Sequence, residues 1–176
     1  MNDRKLRTHE MQRKTITDFK VAEKFGFCFV LDDIRSALNV GSIFRTADAF
    51  LFQHIHLCGL TATPPNLDIN KSALGATESV DWKYWPTTIE CIKTLKKTHY
   101  IIGIEITQNA IPLSQFNYIG EHPIAAVLGN EIVGISNEVM RECDEIVSIP
   151  QFGTKHSLNV SVCAGIVGWT LVKNVL

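Results

Sequence analysis

The sequence has almost no net charge. Its 17 lysines and arginines are balanced by 18 aspartates and glutamates, for a formal net charge of -1. Many nucleic-acid-binding domains are strongly basic, with an isoelectric point above about 9. Contact with a polyanion would therefore need a local group of cations. One such group lies in residues 1–14, which contain five cationic and two acidic residues (Arg4, Lys5, Arg7, Arg13 and Lys14; Asp3 and Glu10).

Clustered cysteines are also absent. No two of the five cysteines form a C-x-x-C pair (Cys28, Cys58, Cys91, Cys143 and Cys163). This pattern favours reduced thiols, mostly buried, and a cytoplasmic protein. His54 and His56 would share one face of a strand, but no third ligand is near them in the sequence, so we predict no metal site.

Long apolar runs and common nucleotide motifs are missing as well. No stretch of 18 apolar residues exists, and no apolar segment of a signal peptide follows the basic start, so we expect neither a membrane span nor secretion.

The chain lacks G-x-x-x-x-G-K-[ST], the phosphate loop of an NTPase. It also has no G-x-G-x-x-G after its first predicted strand, which disfavours a Rossmann dinucleotide site. It also lacks a G-x-S-x-G elbow, which argues against an α/β-hydrolase.

From residue 25 onward, short apolar runs alternate with amphipathic segments. This alternation predicts an α/β fold with a mostly parallel sheet flanked by helices. We expect one domain at residues 25–176, preceded by a basic arm or surface helix at residues 1–24. The predicted strands are residues 25–31, 54–59, 80–84, 100–106, 124–128 and 145–149. The predicted helices are residues 40–52, 87–97, 136–141 and 158–174.

The first of three notable polar segments is NVGSIFRTA at residues 39–47. Asn39 is a good N-cap, and Gly41 allows a partner or ligand to approach the first helical turn. Arg45 lies about 200° around the helix from Ile43, so it points away from the core. Taken alone, Arg45 is better interpreted as an ordinary surface arginine that pairs with Asp48 at i+3.

The second segment, VLGNEIVGI at residues 127–135, follows a buried strand with a glycine, an amide and a carboxylate. It could be a ligand site beyond the carboxyl end of the strand, or a turn before a capped helix. The third segment is IPQFGTKHSLNVSV at residues 149–162. Here Ser157 is the predicted N-cap of a long helix. Ser161, Gly165 and Gly168 form a small-residue stripe, which indicates close packing.

Together these segments resemble the SpoU-like branch (the TrmH family) of the SPOUT RNA ribose 2'-O-methyltransferases. The family runs N-x-G-x-x-x-R-T-A, L-G-N-E-x-x-G and I-P-x-x-G-x-x-x-S-L-N-V-S-V fall at residues 39–47, 128–134 and 149–162, in family order and with family spacing. Residues 71–76, KSALGA, also look like a family element. The resemblance covers residues 26–176.

The resemblance implies a SPOUT-type C-terminal trefoil knot, in which residues 153–157 and the last helix pass under the turn at residues 128–134. It also implies a pocket for S-adenosyl-L-methionine and a homodimer with its active site between the subunits. The substrate would be tRNA or rRNA, with tRNA slightly favoured because the chain is compact. Lys71, Lys155 and the basic group of residues 4–14 are candidate phosphate contacts.

Matching by motif position carries over individual residues. The cofactor contacts would be Leu128, Gly129, Ile149, Pro150 and Leu158, with Thr107 as a further candidate. The active-site set would be Asn39, Arg45, Glu131, Ser157 and Asn159. We expect Arg45 to bind the ribose hydroxyl and an adjacent phosphate and to stabilise developing alkoxide charge. Glu131 and Asn159 would orient Arg45 or the ribose, and Asn39 would brace the helix start.

Two other functions compete with methyl transfer. The same fold could serve as a non-catalytic RNA-binding or assembly factor. Alternatively, the chain could be an unrelated α/β domain for another nucleotide, with coincidental motifs. Binding of S-adenosyl-L-methionine separates the last case from the first two, and transfer of a labelled methyl group separates an enzyme from a binding protein.

Overall fold

The computed structural model describes residues 3–7, 10–11 and 13–176. Its centre is a sheet of seven strands whose neighbours all pair in parallel, in the order β3-β2-β1-β6-β4-β7-β5. The strands are β1 Cys28–Asp32, β2 His54–Cys58, β3 Asp81–Trp85, β4 Tyr100–Ile104, β5 Ile111–Pro112, β6 Ile124–Leu128 and β7 Glu145–Ser148. The predicted parallel sheet is confirmed. Only the two-residue β5 was not predicted.

Helices cover both faces of this sheet. They are α1 Ile16–Val21, α2 Ala37–Ala49, α3 Leu67–Ala73, α4 Ala76–Ser79, α5 Thr88–Leu95, α6 Asn137–Glu142 and α7 Val160–Lys173. Successive side chains of a strand point to opposite faces. Accordingly, Phe29 and Leu31 belong to the core shared with α2 and α7, whereas Cys28 and Val30 belong to the core shared with α5 and α6.

Two predicted helix caps are wrong. The cap of α2 is Ser36, whose hydroxyl accepts the N–H of Asn39 at 3.3 Å, so Asn39 lies inside the helix. The cap of α7 is Asn159, whose side-chain oxygen accepts the N–H groups of Ser161 and Val162 at 2.9 and 3.4 Å. Ser157 lies in the loop before it. Each segment holds several polar residues that could cap a helix. The cap is the residue that lies two or three positions before the free N–H groups of the first helical turn.

Gly41 permits the close approach that the sequence predicted, and the partner is α3. A Cβ at Gly41 would overlap the carbonyl oxygen of Ile69 and the hydroxyl of Ser72. On α7, Gly168 lies against Phe29 and Phe50, whereas a Cβ at Gly165 would meet nothing within 4 Å. The small-residue stripe is thus packed at one end and open in its middle.

The predicted N-terminal arm is partly helical. α1 rests on the core through Phe19, and Lys20 pairs with Asp81 of β3. Arg4 pairs with Glu10 at 2.7 Å. Residues 1, 2, 8, 9 and 12 of the arm lie outside the described residues, and the division into arm and domain stays a prediction. Over the described ranges, no helix is long and apolar enough to cross a membrane.

Candidate active site

A cavity of about 510 Å³ opens at the carboxyl edge of the sheet. Because all strands run in parallel, the carboxyl ends of β4, β6 and β7 meet there, close to the boundary between β1 and β6 at which the strand order changes direction. Ligands of open α/β sheets bind at such points. The lining comes from the ends of β4, β6 and β7, from the turn after β6, and from the loop before α7 with the first turn of that helix (Ile104, Glu105, Ile106, Leu128, Gly129, Asn130, Glu131, Ile132, Val133, Gly134, Ile149, Gln151, His156, Ser157, Leu158, Val160 and Cys163).

A tight turn after β6 forms one wall of this cavity. A Cβ at Gly129 would overlap the backbone of Gly134 and Ile135, so the turn needs glycine at its start. The Asn130 side chain donates to the carbonyl of Asp33 at 2.7 Å and accepts the N–H of Ile132 at 2.9 Å. The turn is therefore fixed to the end of β1.

Glu131 joins this turn to the start of α2. Its carboxylate accepts the N–H groups of Arg35 and Ser36 at 2.8 and 3.0 Å and the side-chain amide of Asn39 at 2.9 Å. Partial burial by itself would raise the pKa of Glu131, but these hydrogen bonds outweigh it and lower the pKa below its ordinary value. Glu131 is therefore a carboxylate at neutral pH.

Asn39 extends the same network to α7. Its side-chain oxygen accepts a hydrogen bond from the amide of Asn159 at 3.1 Å. Three of the predicted active-site residues (Glu131, Asn39 and Asn159) thus form one chain of hydrogen bonds, although they are up to 120 residues apart in sequence. Glu131 bonds to Asn39 and to the start of α2 rather than to Arg45, and its expected role of orienting Arg45 or the ribose stays a prediction.

The other two predicted active-site residues lie apart from this network. Ser157 is exposed and lines the cavity. Arg45 is exposed on α2 and lines a second cavity, of about 450 Å³, between α2, α3 and α7. Lys71, Ser72 and Gly165 also line it. Arg45 points away from the core as predicted, but it does not pair with Asp48, which accepts a hydrogen bond from Ser79 instead.

The predicted cofactor contacts divide into two groups. Leu128, Gly129, Ile149 and Leu158 line the first cavity. Thr107 and Pro150 are not among its lining residues. The chain turns after Thr107, whose carbonyl accepts the N–H of Ala110, and Pro150 is exposed between Ile149 and Gln151. Their role stays a prediction.

Among the lining side chains that were not predicted as site residues are Glu105 and Cys163. Glu105 follows β4 directly, and its position at the carboxyl end of a strand was the available signal. Cys163 lies one turn into α7 and also lines the cavity. Burial, together with the negative charge of Glu105, raises the pKa of the Cys163 thiol to about 12, so Cys163 is a neutral thiol.

Comparison with known proteins identifies the family. Residues 26–169 match the model of the SpoU rRNA Methylase family. The chain belongs to the SpoU rRNA methylase family. The resemblance inferred from the three motifs is therefore confirmed.

Relatives within this family differ in length from the chain. It is 35% identical over 145 residues to the 23S rRNA (guanosine-2'-O-)-methyltransferase RlmB of Blochmanniella floridana, covering 82% of this chain and 56% of the relative. It is 34% identical over 139 residues to RlmB of Neisseria meningitidis, covering 78% and 54%. The chain thus spans little more than half the length of these relatives.

A solved structure shows the same fold. The AdoMet-bound rRNA methyltransferase of Sinorhizobium meliloti matches with a TM-score of 0.81 at 24% identity, over 95% of this chain and 63% of that one. The helix-flanked parallel sheet is therefore that of a SpoU methyltransferase. The C-terminal knot implied by the resemblance stays a prediction.

Proposed function

We propose that the chain transfers a methyl group from S-adenosyl-L-methionine to a ribose 2'-hydroxyl of RNA. The observation that carries this proposal is the network of Glu131, Asn39 and Asn159 beside the first cavity, built from the three family motifs. The RlmB relatives are named for transfer to the 2'-oxygen of guanosine in 23S rRNA. The Sinorhizobium methyltransferase has AdoMet bound in its crystal structure.

The first cavity fits such a cofactor chemically. Leucine, isoleucine and valine side chains supply an apolar surface for an adenosine, and the backbone of residues 128–134 supplies polar groups. Among the residues that the structure describes, no lysine or arginine lines it, so this lining lacks the cations that hold the phosphates of other nucleotides. This argues against the unrelated nucleotide-binding domain. The bound cofactor supplies an activated methyl group, and residues of the chain must position and deprotonate the hydroxyl.

Arg45 is the residue that we assign to the reacting oxygen. A guanidinium keeps its charge at neutral pH and offers five donors in a planar fork. Arg45 would hold the 2'-hydroxyl and a neighbouring phosphate and stabilise charge on the oxygen as the proton leaves. Ser157 would meet the substrate at the mouth of the first cavity, and Asn39, Glu131 and Asn159 would keep α2 in place.

We further propose that two copies form a homodimer through α7. Val162, Ile166 and Trp169 follow at helical spacing and are all exposed, with Trp169 53% accessible. This apolar stripe adjoins Gly165, at the edge of the cavity that Arg45 lines. A two-fold pairing buries one patch against itself. Because Arg45 and the first cavity are separate in one chain, a second copy at α7 would complete the site.

The RNA would be held by local cations, since the whole chain is nearly neutral. Lys71 lines the second cavity and Lys155 lies in the exposed loop before α7. The names of the RlmB relatives favour rRNA, and tRNA is the second candidate substrate. A cytoplasmic location is part of the proposal, since all five cysteines are unpaired thiols.

The proposal is tested in two steps with the purified chain. Calorimetry measures whether S-adenosyl-L-methionine binds, and transfer of a labelled methyl group is then measured on tRNA and rRNA. Nucleoside mass spectrometry identifies the methylated ribose. Cofactor binding without transfer to either RNA would favour the non-catalytic RNA-binding function, and absence of cofactor binding would exclude both.

A further inference from the structure

The lining of the first cavity carries an excess of negative charge. In the described part of the chain, the lining has two carboxylates, Glu105 and Glu131, and no lysine or arginine. The other titratable groups in the lining are the neutral Cys163 thiol and the exposed His156.

The two carboxylates are held differently. The bonds of Glu131 go to the start of α2, where the helix dipole supplies partial positive charge. Glu105 accepts the N–H of Ile135 at 2.9 Å and the N–H of Ile106 at 2.9 Å. It forms no ion pair with any residue that the structure describes. Its negative charge is therefore the less compensated of the two.

Glu105 is also fixed in position. The Glu105 side chain extends from the end of β4 to the turn after β6. Its carboxylate lies so close to Gly134 that a Cβ there would overlap a carboxylate oxygen. Gly134 has a φ of 68°, a conformation that side chains rarely adopt. The turn thus closes directly onto the carboxylate, which holds a fixed negative charge at the cavity wall.

We infer that Glu105 is a specificity-determining residue whose charge favours the sulfonium cofactor over its thioether product. This inference rests on the proposed function. S-adenosyl-L-methionine and S-adenosylhomocysteine differ by one methyl group and one positive charge at sulfur. Apolar contacts distinguish one methyl group only weakly. A carboxylate a few ångströms away in a partly closed cavity attracts the cation more strongly than it would in water. Glu105 therefore lowers the relative affinity of the product after each transfer.

The test compares the affinities of both molecules by calorimetry. The ratio of the dissociation constant of S-adenosylhomocysteine to that of S-adenosyl-L-methionine should fall about five- to tenfold in Glu105→Gln, since the charge is lost while the shape is kept. Glu105→Asp keeps the charge, so its ratio should stay within about twofold of wild type even if both affinities drop. Glu121→Gln is the matched control, because Glu121 is exposed ahead of β6, at the opposite edge of the sheet.

A third ligand separates charge from shape. An analogue with a protonated amine in place of the sulfonium should lose affinity for Glu105→Gln in parallel with S-adenosyl-L-methionine. Thermal denaturation establishes that each variant is folded.

The possible results have different consequences. An unchanged ratio in folded Glu105→Gln, or an equal loss for both molecules, overturns the role of Glu105 and leaves the proposed function standing. Failure of both molecules to bind the wild-type chain overturns the proposed function, and the role of Glu105 with it.

Discussion

Single side chains connect parts of this chain that are far apart in sequence. The carboxylate of Glu131 bonds to groups 92 to 96 residues away. N–H groups at the start of a helix have no partner within it, so a carboxylate there contributes both hydrogen bonds and charge. The family motifs predict Glu131 and Asn39 as site residues, but their contact depends on the packing of the turn after β6 against the start of α2. Glu105 was missed because the strand predicted at residues 100–106 runs past it, whereas β4 ends at Ile104.

Glu131→Gln tests the connection at α2. A neutral amide accepts these bonds more weakly, so we expect the free energy of unfolding at pH 7 to fall by about 1 kcal/mol. Because the folded pKa of Glu131 is lowered, its contribution is present above the unfolded pKa and is lost as the pH falls through the folded value. Urea unfolding at pH 7 and pH 3 measures both effects. Glu78→Gln, on the exposed side of α4, should show neither.

Arg45→Lys tests the proposed role of the guanidinium. Lysine keeps the charge but loses the planar fork that could hold a hydroxyl and a phosphate together. We expect methyl transfer to fall by about 100-fold, the size of a lost charge-stabilising donor. The affinity for S-adenosyl-L-methionine should stay unchanged, because Arg45 lies outside the first cavity. Transfer near the wild-type rate would contradict this role.

At the scale of helices and strands, short apolar or β-branched runs predicted six of the seven strands. β6 is buried along its whole length, and its predicted bounds match the structure. The short α3 and α4 were missed because together they hold few apolar residues and are separated by Leu74 and Gly75, both with positive φ. The caps of α2 and α7 were misplaced by three and two residues, because several cap-forming side chains stand close together.

Two helical glycines offer a matched comparison. Gly41→Ala should lower the free energy of unfolding, because overpacking against the α3 backbone costs about 1–3 kcal/mol and outweighs the gain in helix propensity. Gly165→Ala meets open space in the single chain and should raise it by up to about 1 kcal/mol. Urea unfolding of both variants measures the difference. Equal effects would contradict the tight packing of α2 on α3.

His56 on β2 makes stability depend on acidity. Burial, and next the positive charges of His54, His99 and Lys83, lower its pKa to about 3. Its ring nitrogen accepts the Trp85 N–H at 3.0 Å, which requires the neutral form. The unfolded chain therefore binds the proton more readily, and stability falls by up to about 1.4 kcal/mol for each pH unit below about 6.5.

The variant His56→Asn keeps an acceptor for Trp85 and removes this titration. Its unfolding free energy should change less between pH 7 and pH 5 than that of the wild type, measured with urea. His122→Asn, an exposed position, serves as the control. A wild type with the same pH dependence as His56→Asn would contradict the neutral buried histidine.

At the scale of the whole molecule, the order of the strands in the sheet could not be predicted from residue patterns. β6 lies between β1 and β4, although β4 precedes it in the chain. Alternation of strands and helices predicts a parallel sheet, but it does not specify which strand enters a gap left by earlier ones. The resemblance to a known family supplied the expectation of an unusual C-terminal path, and the composition supplied none.

Val162→Glu tests the proposed dimer. Val162 is 52% exposed and lies in the first turn of α7, where a glutamate favours the helix. In a two-fold interface each subunit contributes one such glutamate, so two like charges are buried among apolar side chains and destabilise the dimer. We therefore expect the chain to sediment as a monomer and to lose methyl transfer. Val21→Glu makes the same change on exposed α1 and should leave the dimer intact. A monomeric wild type in sedimentation velocity would contradict the proposal.

The hydrogen bonds of Glu131 have a mechanical consequence for the two cavities. Glu131 belongs to the wall of the first cavity, and through Asn39 it holds α2. Arg45 stands six residues further along α2, about 9 Å at 1.5 Å per residue, and faces the second cavity. A short helix moves as a rigid rod. We therefore expect a ligand that displaces the turn at residues 129–134 to shift Arg45, so that filling one cavity changes the shape of the other.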